Sequence, residues 1–193
     1  DLGYIVEWRV INAAEYGMPQ RRRRVFILGY SKDSPIYKKI KDKKDWIFKS
    51  GILTKSFKID EKKTSFYHEL GINGNLIDIS KSFNKEGRFS PFENCGIMID
   101  RKVSTAKVFP DYDGKKTTIR DVMLPEEKVP EEFFIDKKSL DDWKYLKGAK
   151  NEERNNGMFS YVYTEGGMKF PELLDMPSRT IVTGEGGSTP SRF

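Results

Sequence analysis

The chain has 193 residues, 37% hydrophobic and 33% charged, with 35 Lys plus Arg against 29 Asp plus Glu and a formal net charge of +6. That length supports one domain with a real core, or a small domain plus part of another, and the basic surplus allows a polyanionic partner without specifying one. A single cysteine, Cys95, and a single histidine, His68, exclude an internal disulfide and a multi-cysteine or multi-histidine metal site, and no run approaches the length of a membrane span.

Residues 4–11, "YIVEWRVI", place Val6, Trp8 and Val10 on one side and Glu7 and Arg9 on the other, a two-residue period that suits a half-buried strand. Tyr16-Gly17-Met18-Pro19 is turn chemistry. The apolar run Val25 to Leu28 reads as a strand covered on both faces. Gln20 to Arg24 therefore sits where a loop enters a strand. From Ser31 to Asp45 the chain is lysine-rich and weakly patterned, which suggests a boundary. "GIMID" and "KVSTAKVF", joined through Asp100-Arg101-Lys102, predict a hairpin. Two short helices follow. "TIRDVM" has Thr118 as N-cap with Asp121 three residues on and must stop before Pro125. "SLDDWKYLKG" repeats that box with Ser139 and Asp142, stacks Leu140, Trp143 and Leu146, and offers Gly148 as a stop. Residues 157–187 are rich in glycine and aromatics and end in the loop "TGEGGSTPSRF". The opening "DLGYIVEW" carries no leader and the closing "STPSRF" no terminating element, so both ends read as cut from a longer protein.

Four consecutive arginines, Arg21 to Arg24, have a bland reading as a solvated cluster. Context argues for more, because the cluster is fused to a strand and preceded by a glycine-proline turn. Alternate residues at the mouth of a strand point the same way, so Gln20, Arg22 and Arg24 face one cleft while Arg21 and Arg23 face another surface. Guanidinium groups offer fixed donors for a phosphate or a base-edge carbonyl, and glutamine adds a donor and an acceptor. That trio fits a pocket for one nucleotide.

"NAAEYGMPQRRRR" followed by an apolar strand resembles motif VIII of the DNA cytosine-5 methyltransferases, whose core is Gln-x-Arg-x-Arg. "DVMLPEEKVPEEFFIDKKSL" resembles the connector into the target-recognition domain of the bacterial enzymes. "SRTIVTGEGG" resembles the Thr-Leu/Ile/Val dipeptide and glycine-rich loop that close that domain. The resemblance covers residues 1–30 and about 118–193. Residues 31–117 fit no shared motif, as expected of a region that differs among enzymes reading different sites.

The resemblance implies chemistry in which a cysteine thiolate attacks C6 of a cytosine swung out of the duplex and S-adenosylmethionine methylates C5. It implies that Arg24 and Arg22 contact the extruded cytosine and its flanking phosphates, with Gln20 supporting the loop. Arg179 and Thr180 join the DNA-contacting set, Thr180 at the phosphate beside the flipped nucleotide, and Ile181 packs beneath the following loop. Gly186, Gly187 and Ser188 bring that loop's backbone close to a groove, and Arg192 is placed to read guanine. Lys150 and Arg154 fall in a stretch resembling the first recognition loop, where backbone contact and an ordinary solvated face stand as equal readings.

The family's Pro-Cys dipeptide, Glu-Asn-Val motif and cofactor motif all precede motif VIII and are not in this sequence. "FENCGIM" imitates the acid motif but lies after motif VIII, so Cys95 reads as a small buried hydrophobe. His68 reads as a helix or surface residue.

The expectation is an α+β chain: residues 1–30 give two strands from the edge of the methyltransferase catalytic sheet. Residues 31–193 give a small, irregular, β-rich target-recognition domain with short helices, truncated at its end. The complete enzyme would use S-adenosylmethionine, with none bound to this fragment and no methyl transfer by it alone. Its partner is double-stranded DNA; its setting is a restriction–modification system in the bacterial cytoplasm, with no membrane association. Truncation of the sheet predicts exposed apolar surface near Val25 to Leu28 and a route to dimerisation. The competing reading is a non-enzymatic DNA-binding module or degenerate relative. An RNA-binding protein is weaker, because Tyr16 and Phe26 look like turn and core residues rather than exposed stacking platforms.

Overall fold

A computed structural model describes residues 2–64, 66–85, 87 and 90–180. The elements in chain order are β1 (Tyr4–Asn12), β2 (Arg23–Ser31), α1 (Lys43–Asp45), α2 (Ile52–Ser56), β3 (Phe66–Gly71), α3 (Leu76–Ser82), β4 (Cys95–Ile99), β5 (Lys102–Lys107), α4 (Ile119–Val122), α5 (Leu140–Lys147), β6 (Lys150–Asn155) and β7 (Ser160–Glu165), with a π turn at Trp46–Ser50 and several 3₁₀ turns between them. The architecture is α+β, with antiparallel strands and short helices. Two compact units emerge: residues 1–18 with 22–116, and residues 19–21 with 117–193. The larger unit thus holds residues 31–116 together with both opening strands.

The larger unit is built on a five-stranded sheet of order β2-β1-β4-β5-β3. β1 pairs antiparallel with β2 through the register Arg9↔Phe26 and Ile11↔Arg24, and with β4 through Trp8↔Gly96. The alternation of β1 is as its sequence suggests, but the buried half is the one bearing charge. Ile5, Glu7, Arg9 and Ile11 are all buried. A segment containing α1, the π turn and α2 covers that face and supplies Trp46 and Ile47 to a core shared with Ile5, Tyr30, Cys95 and Ile97. Glu7 is tolerated there because its carboxylate accepts from Tyr30 Oη at 2.6 Å and Trp46 Nε1 at 3.0 Å; a buried charge demands such partners.

β2 carries the exposed apolar surface expected near Val25 to Leu28 but is not the fully covered strand that its composition suggests. It lies at the edge of the sheet, and Val25, Phe26 and Ile27 are exposed. Among the described residues it is paired on one side only, so its apolar run is not covered on both faces. The opposite face of the sheet carries an apolar groove of about 450 Å³ lined by Val6, Trp8, Val10, Val25, Ile27 and Met98 among others. The predicted hairpin is present as β4–β5, turning through Asp100 and Arg101, both at positive φ, as a two-residue mirror-image turn requires. His68 lies on β3, a strand rather than a helix, with Nε2 2.9 Å from the Pro91 carbonyl.

In the smaller unit α4 begins as predicted: the Asp121 carboxylate accepts from the Thr118 amide and hydroxyl. α5 spans the predicted residues, but its cap moves. Ser139 makes no side-chain cap bond; a 3₁₀ turn, Lys137–Ser139, precedes the helix and is capped by Asp136, which accepts from the Lys138 amide. Gly148 closes α5, its amide bonded to the Lys144 and Tyr145 carbonyls. β6 and β7 then form a separate two-stranded hairpin. No helix among the described residues is long and apolar enough to cross a membrane.

Candidate nucleic-acid interface

The segment Asn12 to Arg24 is held by its own turn chemistry. A 3₁₀ turn at Ala13–Tyr16 ends on Gly17 at φ +89°, where a Cβ would stand 2.5 Å from Tyr112 Oη and 2.7 Å from the Lys115 carbonyl. Only glycine fits both that φ and that space. Ala13 N donates to the Arg22 carbonyl at 3.0 Å, closing the loop that carries Pro19 to Arg21.

Pro19 to Arg21 belongs to the smaller unit, where it runs beside Ser178 to Thr180. Gln20 and Ser178 form a parallel bridge. Ser178 N donates to the Pro19 carbonyl and Arg21 N to the Ser178 carbonyl, each at 2.7 Å. The Thr180 hydroxyl donates to the Arg21 carbonyl. Two motifs about 160 residues apart in sequence thus meet through backbone pairing. Arg21 lies 3.8 Å and Arg179 4.0 Å from the Glu172 carboxylate; all three line a cleft of about 370 Å³ with Met168, Leu173 and Met176.

Arg22 and Arg24 fall in the larger unit. Arg24 sits on β2 opposite Ile11, on the same face of the strand as Phe26 and Leu28, and Arg23 takes the other face with Val25. Arg24 is exposed, and its Nη1 donates to the Arg23 carbonyl at 2.7 Å. Arg22 is half-buried.

Lys150 and Arg154 share β6 but differ in surroundings. The Lys150 amine donates to the Leu146 carbonyl at 3.0 Å and the Glu165 carboxylate at 2.9 Å, and its side chain is 4% exposed. It is an internal strut between α5 and the hairpin, turned away from solvent. Arg154 is more open: its guanidinium lies 3.7 Å from the Tyr163 ring centre and 3.2 Å from Glu152. Ile181, Gly186, Gly187, Ser188 and Arg192 lie outside the described residues.

Cys95 is buried in the core, and burial pushes its thiol up to about 12. It is not a thiolate at neutral pH, and a cysteine nucleophile must be one. Among the described residues no group of three or more His, Cys, Asp or Glu could hold a metal ion.

Arg9 escaped the sequence reading. This buried guanidinium donates to the Phe57 carbonyl at 2.7 Å and to Tyr16 Oη at 3.0 Å, while Tyr16 donates to the Lys58 carbonyl at 3.0 Å. It ties the turn before the arginines to the end of α2. The one signal in the sequence was a charge on a strongly alternating strand.

The C-5 cytosine-specific DNA methylase family matches residues 1–165, and the chain belongs to that family. It is 35% identical over 189 residues to the Type II methyltransferase M.Sau3AI of Staphylococcus aureus, covering 96% of this chain and 44% of that protein. Over 33 residues it is 61% identical to the Type II methyltransferase M.MthTI of Methanothermobacter thermautotrophicus, which is 17% of this chain and 10% of the relative. Over 34 residues it is 50% identical to M.NgoBV of Neisseria gonorrhoeae, 18% of this chain and 8% of the relative. The chain therefore spans less than half the length of the curated relatives it matches. No solved structure matches it.

Proposed function

We propose that this chain is the recognition-bearing part of a DNA cytosine-5 methyltransferase of the Type II restriction–modification kind, working in the bacterial cytoplasm. The complete enzyme would transfer a methyl group to C5 of a cytosine extruded from a specific duplex site, because the target atoms are inaccessible inside the stack. The observation that carries this reading is the pairing of Pro19–Arg21 with Ser178–Thr180, which joins the arginine-rich motif to the start of the recognition loop.

In this reading residues 1–30 are the edge of the catalytic domain and residues 31–193 the target-recognition region, whose residues 31–116 extend the catalytic sheet. Arg22 and Arg24 hold the extruded cytosine and its flanking phosphates by charge-assisted hydrogen bonds, and Gln20 supports the loop through its bridge to Ser178. Arg154, stacked on Tyr163, takes a backbone phosphate, whereas Lys150 supports the hairpin from within. Thr180 and Arg179 lead into the groove-reading loop that contains Ile181, Gly186, Gly187, Ser188 and Arg192. S-adenosylmethionine, when bound, supplies the methyl group; we assign it, together with the nucleophilic cysteine, to sequence beyond this segment. Thiolate addition to C6 needs an ionised thiol, which the buried Cys95 does not provide, so the segment alone transfers no methyl group. The open apolar face of β1 and β2 is where the rest of the catalytic domain packs.

Arginine substitutions in the complete enzyme test the pocket. Arg24→Ala should lower the methylation rate roughly 10- to 100-fold, the size of a lost charge-assisted hydrogen bond. Arg21→Ala, which removes a surface ion pair with Glu172, should cost no more than a few-fold. Equal losses would contradict the assignment.

A further inference from the structure

The whole chain's surplus of positive charge is matched by one segment. Residues 32–63 hold eleven lysines against five carboxylates, a surplus of six, equal to the net charge of +6 over all 193 residues. This is the segment that covers the Glu7 and Arg9 face of the sheet. Lys43, Lys49 and Lys63 are matched by Glu69, Glu61 and Asp60. Lys38, Lys39, Lys55 and Lys58 are among the exposed lysines of the segment that pair with no carboxylate among the described residues.

Two of these four lie at the arginine end of β2. Phe57, between Lys55 and Lys58, packs on Phe26 with ring centres 6.1 Å apart. Phe26 shares its face of β2 with Arg24, two residues away. The corner is pinned from beneath. Arg9 binds the Phe57 carbonyl, and the Lys58 carbonyl accepts from both Tyr16 Oη and the Asp111 amide, each at 3.0 Å. Two unpaired ammonium groups are thus carried on a fixed backbone, on the side of the sheet that Arg24 occupies. Lys38 and Lys39 belong to the other end of the covering segment, where Ile36, Tyr37 and Ile40 join the core around Tyr30. The distance along β2 from Arg24 to Tyr30 is roughly 20 Å.

We infer that Lys55 and Lys58 hold backbone phosphates of the duplex next to the target cytosine, a contact site that continues from Arg24. The inference rests on the methyltransferase reading above and adds to it a sequence-independent anchor in a part of the chain outside the recognition motifs. A lysine is a compact point charge suited to a phosphate that must be held but not read.

The test uses the complete enzyme and two double variants with the same change in charge, Lys55→Ala/Lys58→Ala and Lys38→Ala/Lys39→Ala. Each phosphate contact releases counterions and steepens the dependence of log affinity on log salt by about 0.9. Lys55→Ala/Lys58→Ala should flatten that slope by about 1.8, raise the KM for DNA, leave kcat at saturating DNA unchanged, and leave the methylated site the same. Lys38→Ala/Lys39→Ala should leave the slope as it is, and Lys55→Arg/Lys58→Arg should restore it. Equal slopes in the two alanine variants, with a wild type that binds and methylates, would overturn this inference alone. A complete wild-type protein that binds no duplex would overturn the methyltransferase reading and this inference together.

Discussion

At the scale of single residues, the polar groups buried beneath the sheet carry more of the architecture than their number suggests. Arg9→Met would leave the Phe57 carbonyl without its partner and strip the Tyr16 hydroxyl of one of its two hydrogen bonds, at a cost of roughly 1–3 kcal/mol in stability, which a denaturant melt would measure. Gly17→Ala would force a Cβ into Tyr112 and the Lys115 carbonyl at a positive φ, for a further loss of about 2 kcal/mol and displacement of the arginine loop. Cys95 should resist a thiol reagent in the native state at pH 8 and react once denatured. Folding holds its thiol protonated from an ordinary 9.0 up to about 12; this contribution to stability is complete below about pH 9 and lost as pH rises towards 12. Rapid native labelling would contradict the burial. Cys95 as a buried hydrophobe was legible in its neighbours. The burial of Glu7 and Arg9 was not, because their partners come from residues 30, 46 and 53–57; β1 advertises its alternation but not which side the covering segment will choose.

At the scale of elements, local signals served well where the structure is local. The β4–β5 hairpin and the Thr118–Asp121 cap involve residues close in sequence, and both are where pattern and turn chemistry put them. Ser139 was outcompeted by Asp136, which caps an extra turn three residues earlier. The covering segment was opaque for the opposite reason: its helices are one or two turns long, too short for a periodic signal, and are held by the sheet beneath them. Within the smaller unit, α4 is fastened to residues 173–176 by two backbone bonds and by the Arg120–Asp175 pair at 2.6 Å. Hydrogen bonds from Arg120, and its charge, hold the Asp175 carboxyl below its ordinary 3.8. The pair should therefore persist as pH falls through the usual aspartate range and be lost only below it. A carboxyl NMR titration would read this directly, with Arg120→Gln returning Asp175 to ordinary behaviour; an unshifted midpoint in the native chain would contradict the pairing.

At the scale of the whole molecule, the arginine motif was legible in sequence, and its pairing with residues 178–180 supplies a connection that spacing alone could not reveal. Composition alone misleads at Val25 to Leu28, where a continuous apolar run reads as covered on both faces; the expectation of exposed apolar surface there, drawn from truncation of the sheet, fits Val25 at 57% and Ile27 at 67% exposed. An exposed apolar patch on a strand that is paired on one side is prone to association. The isolated chain should accordingly dimerise with rising concentration, and Val25→Ser/Ile27→Ser should return it to monomer in light scattering; monomer at every concentration would contradict this. The proposal with the widest reach is that the reading frame containing this chain encodes a cytosine-5 methyltransferase. Its most direct measurement is to express the complete reading frame with plasmid DNA of random sequence and map 5-methylcytosine by bisulfite sequencing. Methylation of cytosine in one fixed duplex context is the expected result. Duplex binding by a soluble protein with no cytosine methylated anywhere would contradict it and leave a recognition module without the chemistry of its family.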